Sequence, residues 1–398
     1  MTTQPIRLKL YVYPLEGTHC GYGVQQGVLL PALDHIPGRV MRGGLAGWAV
    51  RNKILQPEDP KFQQFFLARQ EAGETLASFP CCTLLGRDAV SCSCFESKGR
   101  SEHPATTLLG DHGLKLIDDA TTVPDMSKAL GPVDFLTSPA WPAERDASLK
   151  PCRGTMDMSG EYHPPFPTVL EMKSAHDSQK GRVDENGLHI VEVLPANPRK
   201  EARATYYAGD FVLAGEAREI FSKLLLRGRD VADLSDDEIL DPGPDHLIFI
   251  GRKKTPAAVF AVESKAGTDH ADTTAHATEV AITLTSSLIP EVETKYRMSW
   301  ELLAATLGIK VTDQEKRAFC RTTQVHGMSD GDRGSGTPYT RDAFAAGTCL
   351  RITAPTAPKE IERLLRLSLF GAGLHSRDGH GRFRMQAKQA AKPQSSNE

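Results

Sequence analysis

The sequence predicts an α+β protein built from two tandem ferredoxin-like units, the first of which carries a large irregular insertion. One observation is the strict alternation of apolar residues along 6–13, IRLKLYVY, which is the pattern of a half-buried strand. Another is an internal similarity between residues 209–262 and 347–385. Each stretch runs through a Gly-led strand, an amphipathic helix, a turn of glycine and basic residues, and a further apolar segment. A repeated strand–helix–strand–strand–helix–strand order is typical of two ferredoxin-like units.

The domain boundaries follow from composition. We expect a first domain over 1–263 with a loop-rich insertion at about 80–170, where prolines, glycines and turn residues are frequent. The polar, aperiodic stretch 264–278 is a linker. The second domain covers 279–386, and residues 387–398 are predicted to be a disordered tail.

Three helices are predicted at sites that matter for function. After the Pro37-Gly38 turn, Met41, Leu45 and Trp48 recur at helical spacing. Glycines at 43, 44 and 47 weaken the propensity of this helix, so we expect it to pack closely against something. The similar halves each contain a helix with an apolar stripe, formed by Ile220, Phe221, Leu224 and Leu225 in the first and by Ile361, Leu364, Leu365 and Leu369 in the second.

The charge of the chain is segregated, although the net charge is only −3. Residues 230–245 contain seven acidic side chains and no basic one, whereas 251–254 (GRKK) and 376–384 (SRDGHGRFR) are basic. Separate blocks of this kind are compatible with one surface that faces RNA and another that faces protein. The outward face of the first strand also mixes cations with tyrosines, which suits stacking on bases. No apolar run is long enough to span a bilayer, and we expect a cytoplasmic protein.

The stretch FGAGLHSRDGHGRFRM, 370–385, combines four glycines with three arginines. Glycines let a backbone come close to a partner, and arginines indicate an anion. A dinucleotide site is excluded by spacing, since Ser376 stands where the third glycine of G-x-G-x-x-G is required, and no P-loop motif occurs in the chain. An RNA backbone fits this stretch better.

Candidate catalytic and metal-binding groups also lie in loops. His19, Asp34, His35, His375 and His380 could act as acids or bases, and a metal-independent ribonuclease needs such a base together with a cation. Cysteines gathered in the insertion, Cys81, Cys82, Cys92 and Cys94, make zinc a candidate cofactor. Their CC and CSC spacing is not the paired C-x-x-C pattern, so reduced free thiols are the default interpretation.

Two motifs resemble a known family. IPGRVMRGGLA, 36–46, resembles the IPG-type motif of the RAMP superfamily of CRISPR proteins, and 370–385 looks like its Gly-rich loop. GLHIVEVLPA, 187–196, is similar to a stretch of the larger members. The insertion and the two-unit length are most similar to the large RAMP subunit of type III-D effector complexes, a relative of the Cas-five-like group. GRKKTPAA, 251–258, departs from the pattern because it lacks the later glycines.

The resemblance implies two RRM-like RAMP units in a multi-subunit, RNA-guided ribonucleoprotein that gives antiviral defence. Its partners would be a guide (CRISPR) RNA, gripped at the 5′ tag, backbone RAMP subunits and the large signalling subunit, with target RNA contacted indirectly and no membrane. We therefore predict a non-catalytic guide-RNA-binding subunit. The predicted RNA-binding residues are Gly38, Arg39, Arg42, Gly43, Lys253, Lys254, Gly371, Gly373, His375, Arg377, Gly379, Gly381 and Arg382.

Three alternatives stay open. One is a metal-dependent endoribonuclease that cleaves target RNA through Asp34 with Mg²⁺, since related backbone subunits carry an Asp ahead of the IPG motif. A second is a guide-processing ribonuclease that uses His19 or His35. A third, which is compatible with RNA binding, is a scaffold role in which the acidic block 230–245 docks a basic partner subunit.

Overall fold

The structure is a computed structural model of the full chain. It describes residues 5–21, 29–33, 35–67, 77–84, 90–91, 95–97, 149–151, 155–156, 162–163, 169–177, 182–194, 196, 206–214, 217–251, 254–263, 279–291, 298–309, 318–320, 322–328, 338–346, 348–353 and 357–388. The predicted linker and most of the predicted insertion and tail lie outside these residues.

The described chain is a mixed fold of antiparallel sheets and helices. The strands of the first half are β1 Ile6–Pro14, β2 Leu29–Leu30, β3 His35–Ile36, β4 Ala77–Ser78, β5 Cys82–Leu84, β6 Val90–Ser91, β7 Phe95–Ser97, β8 Leu149–Pro151, β9 Thr155–Met156, β10 Tyr162–His163, β11 Val169–Asp177, β12 Arg182–Val193, β13 Tyr207–Leu213, β14 Leu247–Ile250 and β15 Thr255–Glu263. The second half adds β16 Glu279–Leu284, β17 Ala318–Phe319, β18 Thr322–Met328, β19 Pro338–Phe344, β20 Cys349–Thr353 and β21 Phe383–Lys388.

The helices are short except for two. The α-helices are α1 Gly38–Arg51, α2 Pro60–Phe62, α3 Asp236–Leu240, α4 Gly243–His246, α5 Trp300–Thr306 and α6 Pro358–Phe370. A π-helical turn follows α2 at Gln63–Leu67, and 3-10 helices lie at Glu219–Leu224, Val231–Asp233 and Ser376–Asp378. Among the described helices, none is long and apolar enough to cross a membrane.

The first large sheet is organised around β1. Its strands lie in the order β14-β15-β1-β13-β5-β3, and β4 also pairs with β13. Leu8, Leu10 and Val12 are fully buried, as the alternation in β1 predicts. The inner strands β15, β1, β13 and β5 are mutually antiparallel, with α1 between β1 and β5 in the chain. This arrangement is the strand order of a ferredoxin-like unit.

The second large sheet has the same strand order. It runs β17-β20-β16-β21, and every pair is antiparallel. In chain order, α5 lies between β16 and β17 and α6 between β20 and β21. Ser299 caps α5 by accepting from the Leu302 N–H, and Gly308 follows the helix with a φ of 65°. Its own apolar cluster, which includes Ile282, Leu350 and Leu364, fills the space between this sheet and the helices.

The first unit differs from expectation in one element. The predicted amphipathic helix around 220–225 is a 3-10 helix of six residues, although Ile220, Phe221 and Leu224 are buried as predicted. At the start of the expected insertion, Cys82–Leu84 forms a strand that pairs with β13 and β3 in the main sheet, and the extent of the insertion stays a prediction. Strands β11 and β12 add a long antiparallel arm.

The outward face of β1 is covered at its tyrosine end. Tyr13 is 2% exposed and lies in a cluster with Phe260, Leu234 and Ile239. The acidic block thus packs its apolar side chains on the sheet. The expectation that this strand presents Tyr13 to solvent is wrong, because the residues after the 3-10 helix fold back over it.

The carboxylates of the acidic block are partly used in its own structure. Asp230 and Ser235 are N-caps, and each forms a capping box with an acidic residue three positions later, Asp233 and Glu238. Glu238 also pairs with Arg229 at 2.8 Å. The block is therefore an ordered element whose caps and ion pair stabilise it. Its docking of a basic partner stays a prediction.

Candidate nucleic-acid interface

Helix α1 begins directly after the IPG motif. Its N-cap is Pro37, whose side chain cannot accept a hydrogen bond, so the first N–H groups of the helix have no N-cap side chain to accept from them. Gly44 lies where a Cβ would come within 3.0 Å of the Phe249 carbonyl, which explains a glycine in the middle of the helix. Gly43, by contrast, faces open space. The helix thus packs on β14 by one side and leaves its other side accessible.

The Gly-rich loop, residues 371–382, follows α6 and precedes β21. All four predicted glycines have positive φ: Gly371 94°, Gly373 73°, Gly379 85° and Gly381 72°. A Cβ at any of them would overlap a backbone carbonyl, and the carbonyls concerned belong to His380, Ile289, Phe79 and Ala372 respectively. In this structure the glycines therefore let protein backbone pass close to protein backbone.

The loop docks on the first unit where α1 begins. Backbone and side-chain hydrogen bonds join the two units: Phe79 N–H donates to the Arg377 carbonyl at 2.6 Å, and Ser78 Oγ donates to the Ser376 carbonyl at 2.8 Å. A Cβ on Gly38 would overlap the Asp378 carbonyl. The two motifs singled out from the sequence thus meet at one place. We call this contact between residues 35–42, 78–82 and 371–382 the seam.

The sequence predicts that Arg377 and Arg382 bind RNA, but both side chains lie inside the seam. They are 8% and 9% exposed. Arg382 donates to the Ser78 carbonyl at 2.6 Å, to Ser78 Oγ at 2.9 Å and to the Asp210 carbonyl. Arg377 donates to the Phe66 carbonyl at 2.6 Å. Their direct contact with RNA stays a prediction, and the structure assigns both guanidinium groups to acceptors in the first unit.

Arg42 is also engaged within the chain. Its Nε lies 3.1 Å from Asp378 Oδ1, and the two side chains are 16% and 11% exposed. It donates to the Phe66 carbonyl at 3.4 Å, the same acceptor that Arg377 uses. Arg42 therefore links α1 to the loop.

Cys81 lies beside the start of α1. Its Sγ is 3.5 Å from the Asp378 carbonyl. Burial by itself would raise the pKa of this thiol, but a hydrogen bond from His35, the Gly38 N–H and the charge of Arg382 hold the pKa below its ordinary value. Cys82, one residue on, is fully buried, and burial raises the pKa of its thiol. The two adjacent thiols therefore sit in different environments.

Besides Arg42, which is paired with Asp378, the half-buried basic groups of the seam are three imidazoles and one arginine. They are His35, Arg39, His375 and His380. The rings of His375 and His380 are 6.5 Å apart, and His380 Nδ1 lies 3.3 Å from the Ser287 carbonyl. Burial, followed by the charges of His375, His35 and Arg39, lowers the pKa of His380 to about 3. Arg39 places a positive charge near the positive end of the α1 dipole, where an anion is stabilised, whereas His380 is neutral at neutral pH.

Other predicted site residues lie elsewhere. His19 is held by a 2.7 Å hydrogen bond between its Nδ1 and the Glu192 carbonyl of β12. Lys254 is exposed with a φ of 54°. Asp34, Lys253, Cys92 and Cys94 lie outside the described residues, so the metal-dependent cleavage and zinc predictions stay predictions. Among the described residues, no group of three or more His, Cys, Asp or Glu side chains could hold a metal ion.

Some seam residues gave no sequence signal. Ser78 and Phe79 supply the acceptors and donors that hold the loop, yet they lie in an ordinary apolar stretch. Asp378 was visible as the one acidic residue of the loop, and its position between Arg377 and Gly379 could have suggested an internal ion pair. Residue type alone did not reveal that its partner would be Arg42.

Comparison with known proteins gives similarity only to solved structures. No family model matches the chain, and no curated protein matches it. A chain in the cryo-EM structure of type III-B Cmr-beta bound to cognate target RNA and AMPPnP is 9% identical with a TM-score of 0.44, covering 86% of each chain. Oligomeric Cmr4 from Pyrococcus furiosus is 10% identical with a TM-score of 0.26, covering 66% of this chain and all of that one. A CRISPR-associated Cas6 is 8% identical with a TM-score of 0.30, covering 97% of this chain and all of that one. All three TM-scores are below 0.5.

Proposed function

We propose that the protein binds guide RNA as a structural subunit of a type III CRISPR effector complex. The observation that carries the proposal is the meeting of the IPG motif and the Gly-rich loop, more than three hundred residues apart in sequence, at one seam. Besides the paired Arg42, the half-buried basic groups of that seam are Arg39 and three imidazoles, next to the N-terminus of a 14-residue helix. Cations and helix N–H groups together are a common way to hold a phosphate.

Some of the proposed RNA contacts depend on charge, and others depend on the close approach of the RNA backbone. Arg39 carries a permanent charge, unlike the three imidazoles beside it, and would bind a phosphate of the guide. Gly43 faces open space one turn further along α1, so an RNA backbone could approach the helix closely there. His375 and His35 would add polar contacts to phosphate or sugar. Lys254, which lies outside the seam, is an exposed cation and would add a separate basic contact.

Finer parts of the proposal follow the sequence resemblance. The RNA would be the 5′ tag of a CRISPR guide, the subgroup would be III-D-like, and the neighbours would be backbone RAMP subunits and the large signalling subunit in the cytoplasm. The acidic block would face one of these proteins, because its exposed carboxylates repel RNA.

The test is to express the protein together with its genomic neighbours and a CRISPR array, purify it, and sequence the RNA that it retains. We expect repeat-derived RNA with a defined 5′ tag. Retention of no RNA, or of RNA that samples the transcriptome at random, would overturn the proposal.

A second candidate function is processing of the guide by metal-independent cleavage. His35 suits this role better than His19, since His35 lies close enough to His380 to affect its pKa, and His19 is bound to β12. Two imidazoles and an arginine are the groups that such a reaction needs. Incubation of the purified chain with repeat RNA in EDTA distinguishes the candidates, because a binding subunit leaves the RNA intact.

A further inference from the structure

Arg382 is a buried cation whose hydrogen-bond acceptors are neutral. It emerges from the second unit just before β21, yet all its side-chain hydrogen bonds go to the first unit, to Ser78 and to the carbonyl of Asp210. Burial lowers the pKa of its guanidinium to about 10, while the Asp210 carboxylate opposes the shift. The group is therefore still charged at neutral pH, and its contacts must compensate for a large desolvation cost.

The acceptors of Arg382 and Arg377 lie on three separate segments of the first unit. Arg377 reaches the Phe66 carbonyl after α2, and Arg382 spans β4 at Ser78 and β13 at Asp210. Planar guanidinium groups with several donors are suited to joining fixed backbone carbonyls in this way. The loop is thereby fastened to the sheet edge on which β4 and β5 lie.

What the fastened loop touches is the start of α1. The Asp378 carbonyl lies against Gly38, the first residue of the helix, and the Asp378 carboxylate pairs with Arg42 one turn later. Arg39 lies between these two contacts in the sequence. Its position relative to an RNA backbone is therefore set by the loop, although the loop arginines themselves face inward.

We propose that Arg377 and Arg382 are positioning residues, which support RNA binding by holding the start of α1 and not by contacting phosphate. This inference rests on the proposed function, since it concerns the same RNA. It reassigns the role of the loop from a cradle for the guide to a latch between the two units.

The salt dependence of binding separates the two roles. An arginine that neutralises a phosphate releases counterions on binding, and its loss lowers the slope of log K against log [salt] by about 0.7 for single-stranded RNA. A positioning residue changes the affinity without changing the number of neutralised phosphates. We would measure binding of the full-length chain to a repeat-derived RNA oligonucleotide over a range of salt concentrations.

Three variants make the comparison. Arg39→Gln is expected to lose affinity and to lower the slope by about 0.7. Arg382→Gln is expected to lose about tenfold or more in affinity at unchanged slope. Ser78→Ala removes the hydroxyl that accepts from Arg382 and donates to Ser376, without changing charge, so it should weaken binding several-fold at unchanged slope even if Arg382→Gln folds poorly.

The outcomes distinguish this inference from the function on which it rests. If Arg382→Gln lowers the slope as much as Arg39→Gln does, or if Ser78→Ala binds like the wild type, the latch role is wrong while RNA binding stands. If the wild-type chain does not bind the RNA at all, the proposed function fails and this inference fails with it.

Discussion

Replacing Gly381 by alanine is expected to destabilise the protein by roughly 3 kcal/mol or more. The residue has a φ of 72°, and a Cβ there would overlap the carbonyl of Ala372 and crowd its nitrogen. Because these are backbone atoms of the same loop, they cannot rotate away as a side chain would. Thermal or denaturant unfolding of the purified chain measures the loss.

Gly228→Ala is the matched control. Gly228 has the same φ of 72°, but nothing lies within 4 Å of the position of a Cβ. Its replacement should cost only the strain of a left-handed alanine, about 1 kcal/mol. Equal losses in the two variants would show that the crowding around Gly381 is absent in solution.

Acidification is expected to lower the free energy of unfolding, because the unfolded chain protonates His380 more readily than the folded chain does. The folded-state pKa of this imidazole is lowered to about 3, well below the ~6.5 of an unfolded histidine. The unfolded chain therefore binds more protons than the folded chain between these values, and stability falls as the pH drops below about 6.5. The slope for one group cannot exceed ~1.4 kcal/mol per pH unit, and partial exposure of the ring reduces it.

The comparison with His380→Gln isolates this contribution. Glutamine keeps a donor for the Ser287 carbonyl but does not titrate, so the variant should show a smaller loss of stability between pH 6.5 and 5. We would measure urea unfolding of both proteins across this range. Parallel curves for the two proteins would contradict the assignment of a neutral His380 in the folded seam.

The local elements of the fold were largely predictable, because they depend on short-range patterns. Alternation identified β1 and its buried residues, and helical spacing after Pro37-Gly38 identified α1. Ser299 and Gly308 are residue types that commonly begin and end a helix, and they flank α5 in the structure. The glycines of 371–381 were predicted to allow the close approach of a backbone, and in the structure protein backbone lies against them. Each of these signals is set by neighbours within a few residues.

The site was only partly predictable, because an arginine does not reveal its acceptor. Arg382 binds carbonyls of residues that are 172 and 304 positions away in the sequence, and backbone carbonyls carry no sequence signature. A loop rich in glycine and arginine can bind an RNA phosphate or a protein backbone carbonyl, so its composition does not distinguish the two. The burial of Tyr13 was missed for a similar reason, since the segment that covers it follows more than two hundred residues later. Over only six residues, the apolar spacing of a 3-10 helix resembles that of an α-helix. The 3-10 helix at 219–224 was therefore predicted as an α-helix.

Crosslinking of bound RNA, followed by mass spectrometry of the crosslinked peptides, tests the central claim most directly. The chain would be purified with its partner subunits and guide RNA and irradiated, and the modified residues would be mapped. We predict crosslinks within residues 35–43 at the start of α1 and at 373–376 on the outer side of the loop. Crosslinks confined to other surfaces of the described chain, with none at the seam, would contradict the account.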